Sequence, residues 1–376
     1  MLKNNNTVLF VMKRILVYLG HPAQYHFIKH ALGKWRQNGN EIKVLIKTKD
    51  ILEDLLKEDG VEYVNIQSQP RGNGKLDILM ASFRRTKTVL NIAKKFKADV
   101  LIGTDSSVAQ VAWMLKRPAI TVLEDDYAVI KNLAKLTYPF TSCILVPSVC
   151  RVGQYENKKV GYSGYMKLAY LHPTWFTPEK AILSKYGLPD RYILIRLAKL
   201  SAHHDVGIKG LNLDLVHGVI SKAEQYGYRA YITSETYSDV SLQPYQLRIA
   251  YRDIHHILAF AGLLVSDSQS MSVEAAMLGV PSVRFSDFAG RISVLEELEQ
   301  TYHLTFGIPT DKPEQLVEKV DSLLSDTKLR ETFQKNRELL LKDKIDVTAF
   351  LTWFIENYPE SSRIMKEDPD YQFRFK

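Results

Sequence analysis

The sequence predicts two doubly wound α/β domains in tandem, facing each other across a cleft. Short β-branched apolar runs alternate with segments of helical length. The alternation breaks at Leu171–Pro178, where two prolines and a tryptophan interrupt both periods, and then resumes. A chain of 376 residues is also too long for one ordinary domain and fits two.

The first series of runs is Ile15–Leu19, Ile42–Ile46, Tyr63–Ile66, Val100–Ile102, Ile120–Leu123 and Ile144–Val146. Most are apolar throughout, as strands buried on both faces of a parallel sheet must be. Lys29–Asn38 and Ser107–Lys116 are long enough for crossover helices. The second series is Tyr192–Leu197, Tyr228–Ile232, Leu263–Val265 and Pro281–Phe285. Its helices are expected over Leu211–Tyr226, Ile254–Ala261, Met271–Leu278 and Pro313–Leu324. The expected organisation is a Rossmann-like domain over residues 12–172, another over 178–345, and a final helix, Val347–Tyr358, with a charged tail in 346–376.

Composition narrows the function. Hydrophobic residues at 45% and charged residues at 24% exclude long disorder, collagen-like repeats and coiled-coil arrays. Two cysteines, Cys143 and Cys150, build neither a disulfide scaffold nor a four-thiolate zinc site, and they fit a reducing cytoplasm. The net charge of +8 suits nucleic acid, anionic lipid or phosphorylated small molecules alike. No apolar run approaches the ~18 residues of a membrane span. Residues 1–11 read as a leader before the first strand, with Met12 as an alternative start, because Lys13 and Arg14 end the apolar stretch.

Ligands of doubly wound sheets bind beyond the carboxyl ends of the strands, so the residues that follow each run carry the chemistry. After the first comes Gly20-His21-Pro22-Ala23-Gln24-Tyr25-His26, with His21 and His26 at a helix N-terminus, where anions are favoured and a histidine can take a proton. Gly103–Ser107 follows the fourth run; Asp105 there is a candidate base, though helix capping is the stronger reading. Glu124-Asp125-Asp126 follows the fifth and reads as a solvated loop, with Glu124 placed to enter the cleft. Arg196 ends a strand ahead of His203-His204-Asp205. Neighbouring histidines rarely share one ion and no H-E-x-x-H spacing exists, so no metal is expected. Val265–Val283 reads as strand, hydroxyl-rich turn, helix, Gly-Pro break and strand. Ser268, Gln269 and Ser270 form an anion cradle at the helix N-terminus, and Glu274 lies one turn along, within reach of a ribose diol. Arg284 and Arg291 are expected to add two cations at the same edge.

The Asp267–Gly279 stretch, closed by Gly279-Val280-Pro281, resembles the nucleotide-sugar signature of GT-B glycosyltransferases and of non-hydrolysing UDP-N-acetylglucosamine 2-epimerases. The Gly20–His26 turn, the His203–Gly207 loop and Asp287–Ser293 resemble an uncharacterised bacterial and archaeal family of that clan, known mainly as a domain of unknown function. The resemblance implies a UDP-sugar donor and no further cofactor. Ser268, Gln269 and Ser270 would hold the diphosphate and Glu274 the ribose, with Arg196 and Arg291 offsetting phosphate charge. A base in the first domain, Asp105 or one of His21 and His26, would activate an acceptor, either a surface glycan or a lipid-linked one. The alternative is an epimerase-like isomerase or hydrolase, since Asp105, Glu124 and His203 or His204 stand where the epimerases place catalytic groups. Against it, a further epimerase Glu lies just beyond a proline, where this chain has Tyr138-Pro139-Phe140. A non-enzymatic binding protein is a third class.

Residues 71–97 carry eight basic residues against one acid, with Leu79, Phe83, Leu90 and Ala93 at helical spacing. Such a helix either meets an anionic membrane or covers the sheet as an ordinary surface helix. The expected location is therefore cytoplasmic, and on the first of these readings peripheral on the inner membrane face. Nucleic acid is not an expected partner, because no aromatic-interleaved platform accompanies the charge.

Overall fold

The computed structural model describes residues 12–49, 51–67, 75–197, 210–234 and 239–376, with the side chains of 75–79 set aside. Seven strands form the first sheet: β1 Arg14–Leu19, β2 Glu41–Lys47, β3 Val64–Gln67, β4 Val100–Ile102, β5 Ala119–Val122, β6 Cys143–Pro147 and β7 Lys159–Tyr162. Their order is β3-β2-β1-β4-β5-β6-β7, parallel throughout. Five form the second: β8 Tyr192–Leu197, β9 Arg229–Ser234, β10 Leu264–Ser266, β11 Ser282–Phe285 and β12 Phe306–Ile308. Their order is β12-β11-β10-β8-β9, again parallel. The fold is thus two Rossmann-like α/β domains, as the apolar runs predict. Each sheet reverses its direction of growth once, between β1 and β4 and between β8 and β10. Such switch points leave crevices for ligands at the carboxyl ends of the strands.

Most strands legible in the sequence are central and buried on both faces; β3 and β9 are legible too, although each lies at a sheet edge. β7 and β12 were not legible. Both lie at a sheet edge, and Lys159-Val160-Gly161-Tyr162 and Phe306-Gly307-Ile308 offer no continuous apolar run. The helix Leu329–Asp343 escaped as well, because Leu329, Phe333 and Leu340 are its only buried residues among many charges.

The two faces of the first sheet are covered differently. On one, the helix Pro22–Gln37 buries Phe27, Ile28, Ala31 and Trp35 in a core continuous with the second domain. On the other, the helices Lys75–Phe96 and Ser106–Met114 enclose a separate small core with Leu16, Tyr18, Leu45, Val89, Leu101 and Val108. The expected charged tail is instead a docked segment. Helices Val347–Glu356 and Glu360–Glu367 and a last turn over Pro369–Phe375 return to the first domain. Lys13 Nζ donates to the carbonyls of Ile355, at 3.3 Å, and Tyr358, at 2.6 Å, near the end of the first of these helices.

Candidate functional site

A cavity of about 320 Å³ opens between the domains, and both switch points line it. From the first domain come His21, Gln24 and Thr104 beside β1 and β4, and Leu123, Glu124 and Asp125 after β5. From the second come Gln269, Ser270 and Val273 of the helix that follows β10. Met166 and Lys167 form part of the wall between them.

The second-domain wall is a helix N-terminus. Ser268 has extended backbone, and its Oγ accepts from Met271 N–H at 3.4 Å, so that hydroxyl serves as the cap of the helix Gln269–Leu278. The helix ends where Gly279 turns left-handed at φ 67°, a conformation that glycine adopts without strain. Gln269 is held from behind. Arg284 Nη1 donates to its Oε1 at 3.2 Å, while Nη2 pairs with Glu299 at 3.0 Å. Arg284 therefore does not stand at the cleft edge as the sequence suggests: it lies inside β11, wholly buried. Arg291 is exposed, with its guanidinium 5.5 Å from the Phe288 ring centre, and the cavity takes its neighbours Ile292, Val294 and Leu295 instead. Arg196 is in β8, paired in register with Ser266, and its carbonyl accepts from Asp267 N–H at 3.4 Å. His203 and His204 lie outside the described residues.

The first-domain wall holds the titratable groups. His21 caps the helix Pro22–Gln37, with Nδ1 accepting from Ala23 N–H at 3.2 Å, and its side chain faces the cavity. Asp105 caps the next helix through Ser107 N–H at 3.0 Å and sits 3.1 Å from Arg85 Nε. The neighbouring Thr104, rather than Asp105, lines the cavity and accepts from Gln24 Nε2. Glu124 does enter the cleft wall: it accepts from Met166 N–H at 2.8 Å and pairs with Lys167 Nζ. Burial would lower the Lys167 ammonium, but the Glu124 carboxylate outweighs that and raises it, so Lys167 keeps its charge.

The acidic run is a loop, as the sequence suggests, with Asp125 exposed and Asp126 buried. Asp125 lines the cavity while its residue stays exposed, and there partial desolvation and then the charge of Glu124 raise its carboxyl above the ordinary range. Asp126 is only 4% exposed and crosses to the second domain, accepting from Ser293 N–H at 2.7 Å and Ser293 Oγ at 2.9 Å.

Behind the cavity lies a second cluster. Glu274 Oε1 accepts from Tyr170 OH at 2.7 Å and lies 3.4 Å from His255 Nε2. Burial would raise this carboxyl; His255, the Tyr170 hydroxyl and Lys167 outweigh it and hold the group well below the usual carboxylate range. The His26 ring packs against Tyr170 at 5.2 Å and His255 at 5.5 Å, and its Nδ1 is buried without a hydrogen-bond partner among the described residues. Burial, then His255 and Lys29, push His26 down to about 3, so it is neutral at pH 7. The structure thus brings His21, Glu124, Gln269 and Ser270 to one cavity and places His26 and Glu274 behind its wall. Lys167 and Asp125 were missed. Asp125 was signalled by its place after β5, whereas nothing around Lys167 marks it in the sequence.

No family model and no curated protein matches the chain. Solved structures do. MnaA of S. aureus, solved with UDP, superposes with a TM-score of 0.66 at 13% identity, over 93% of this chain and 98% of that one. The UDP-GlcNAc 2-epimerase of Neisseria meningitidis, bound to UDP-GlcNAc, gives 0.64 at 14%, over 91% and 99%. CalG4, the calicheamicin glycosyltransferase, gives 0.54 at 14%, over 92% and 98%. The likeness is one of fold. The chain shares the GT-B-like architecture of epimerases and glycosyltransferases.

Proposed function

We propose that the protein is an enzyme that breaks the bond between sugar and diphosphate in a nucleotide sugar, and that it transfers the sugar to an acceptor hydroxyl. One observation carries this reading: an anion-ready helix N-terminus and a set of titratable groups face each other across one cavity of about 320 Å³. The diphosphate would sit at Gln269 and Ser270, with Arg284 fixing Gln269 from behind. Asp125 would take the proton of the acceptor hydroxyl as its oxygen bonds to the anomeric carbon. The nucleoside diphosphate would leave with the electron pair of the broken C–O bond. The UDP choice rests on the sequence resemblance and on the ligands of the S. aureus and N. meningitidis proteins. The acceptor would be a glycan or a lipid-linked one.

Epimerisation is the second reading. It is favoured by the likeness to the N. meningitidis epimerase and by two adjacent carboxylates, Glu124 and Asp125, on one wall. NMR of the protein with a panel of UDP-sugars separates the two. UDP released only when a membrane or glycan extract is added supports transfer. A new sugar isomer formed without acceptor establishes epimerisation instead. Neither product from any UDP-sugar overturns the proposal.

A further inference from the structure

The first domain carries a surface that the cleft does not use. The helix Lys75–Phe96 turns Val89 and Ala93 into the small core beneath it. Met80, Phe83, Arg84, Lys87, Asn91, Lys94 and Lys95 recur on the opposite side at steps of three and four, and all are exposed. Phe83 is 70% exposed, whereas the sequence pattern counts it with the core stripe. Arg85 points inward to Asp105 and to Gln67 Oε1. The adjoining helices Ser106–Met114 and Lys131–Thr137 extend this surface. They present Trp113, 63% exposed, and Leu136, 56% exposed, among the exposed Lys116, Arg117, Lys131 and Lys135. Among the described side chains of this surface, acids are nearly absent. From Met80 to Leu123 the chain has only Asp99 and Asp105, held by Arg14 and Arg85, and from Tyr127 to Tyr155 it has none.

We propose that this face docks on an anionic lipid surface, with the lysines and arginines against the headgroups and Phe83, Met80 and Trp113 entering the headgroup boundary. Each basic residue near such a surface strengthens partition roughly fivefold, and salt screens the effect. Aromatic and thioether side chains gain by leaving water at that depth. A second copy of the chain is a poor occupant, because a twofold axis would set this strongly basic face against itself. A polyanion such as RNA would use the charges and leave Phe83 and Met80 in water. No helix among the described residues is long and apolar enough to cross a membrane, so the contact is made by this surface. The inference is independent of the reaction proposed for the cleft.

The test is sedimentation of the full chain with vesicles of equal parts phosphatidylcholine and phosphatidylglycerol, against phosphatidylcholine alone. The protein should pellet with the mixed vesicles at low salt, leave them at high salt and ignore the neutral ones. Reversing Arg84, Lys87, Lys94 and Lys95 to Glu should abolish pelleting. Met80→Ser with Phe83→Ser, which alters no charge, should weaken it several-fold with the thermal midpoint retained. Brominated lipid should quench tryptophan emission, and Trp113→Phe should remove most of that quenching. The proposal is overturned if wild-type protein stays in the supernatant. It is equally overturned if the Ser variant pellets unchanged while RNA binds as tightly as vesicles, or if that variant converts a dimer to monomers while vesicles are ignored.

Discussion

At the residue scale the cleft separates groups that are committed from one that is poised. Glu124 is bound to Lys167 and to the Met166 amide, and Asp105 is a helix cap beside Arg85. Asp125 instead lines the cavity with a raised pKa, which makes its carboxylate a stronger base for taking a proton from a hydroxyl. Asp125→Asn should cost about 10²–10⁴ in kcat. It should leave UDP affinity nearly unchanged by calorimetry, since the proposed diphosphate wall belongs to the other domain. Because the base acts only when ionised, turnover should fall on the acid side at a higher pH than an ordinary aspartate would give. The cluster behind the wall bears on stability rather than turnover. His26 is neutral when folded and protonates near pH 6.5 when unfolded, so the unfolded chain takes up the extra proton below that pH. Glu274, held low, acts in the same direction below its ordinary range near 4.5. Stability should therefore decline as pH falls from about 6.5, by at most about 1.4 kcal/mol per pH unit for each group in its window. Urea melts from pH 7 to 5 should show this slope, and His26→Leu should flatten it.

At the element scale, one helix start is completed by the opposite domain. Helix Ser293–Gln300 begins after Ile292, which supplies no side-chain cap, and Asp126 reaches over from the first domain to accept from Ser293 N–H. The same carboxylate accepts from Arg151 N–H at 2.8 Å, so it ties its own loop and the partner domain together. Asp126→Ala should cost about 1–2 kcal/mol, as a lost cap does, and should widen the distribution of domain separations seen by small-angle scattering. A variant with unchanged scattering and stability would show the contact to be dispensable. This contact also marks what the sequence could not reveal. Central strands such as β1 and β8 announce themselves by unbroken apolar runs, because both of their faces are buried. Caps at Asp105 and Ser268 are local, so their spacing to the helix they start is visible. Asp126 and Ser293 are 167 residues apart, and Glu274 meets Tyr170 across 104, distances at which composition and period say nothing. The turns that feed the cavity were legible for the same reason as the strands they follow. Which of the three acids crosses to the other domain was not, since Glu124 and Asp125 line the cavity while the adjacent Asp126 turns to Ser293.

At the scale of the whole molecule, the last thirty or so residues decide whether the first domain is complete. Phe350, Leu351, Phe354 and Ile355 of the helix Val347–Glu356 are fully buried, and the Trp35 indole on the first helix donates to Thr352 O at 3.4 Å. Glu356 receives Asn38 and Asn40, and Asp346 accepts from Trp175 Nε1 at 2.9 Å, so polar contacts hold both ends of the same helix. Burying four such side chains contributes roughly 1.5–3 kcal/mol each, a sum comparable with the 5–15 kcal/mol that ordinarily separates folded from unfolded domains. A chain ending at Lys344 should therefore lose the first domain rather than merely soften it, exposing the apolar side of the helix Pro22–Gln37. Its far-ultraviolet circular dichroism should fall by more than the deleted helices account for, and a dye that reports exposed apolar surface should bind. The point variant Phe354→Ala tests the same contact without truncation. It should cost about 3–5 kcal/mol by urea unfolding, the range for removing a buried phenyl ring. If the shortened chain keeps a cooperative transition and ignores the dye, the first sheet is held by its own helices and the returning segment is only a cover.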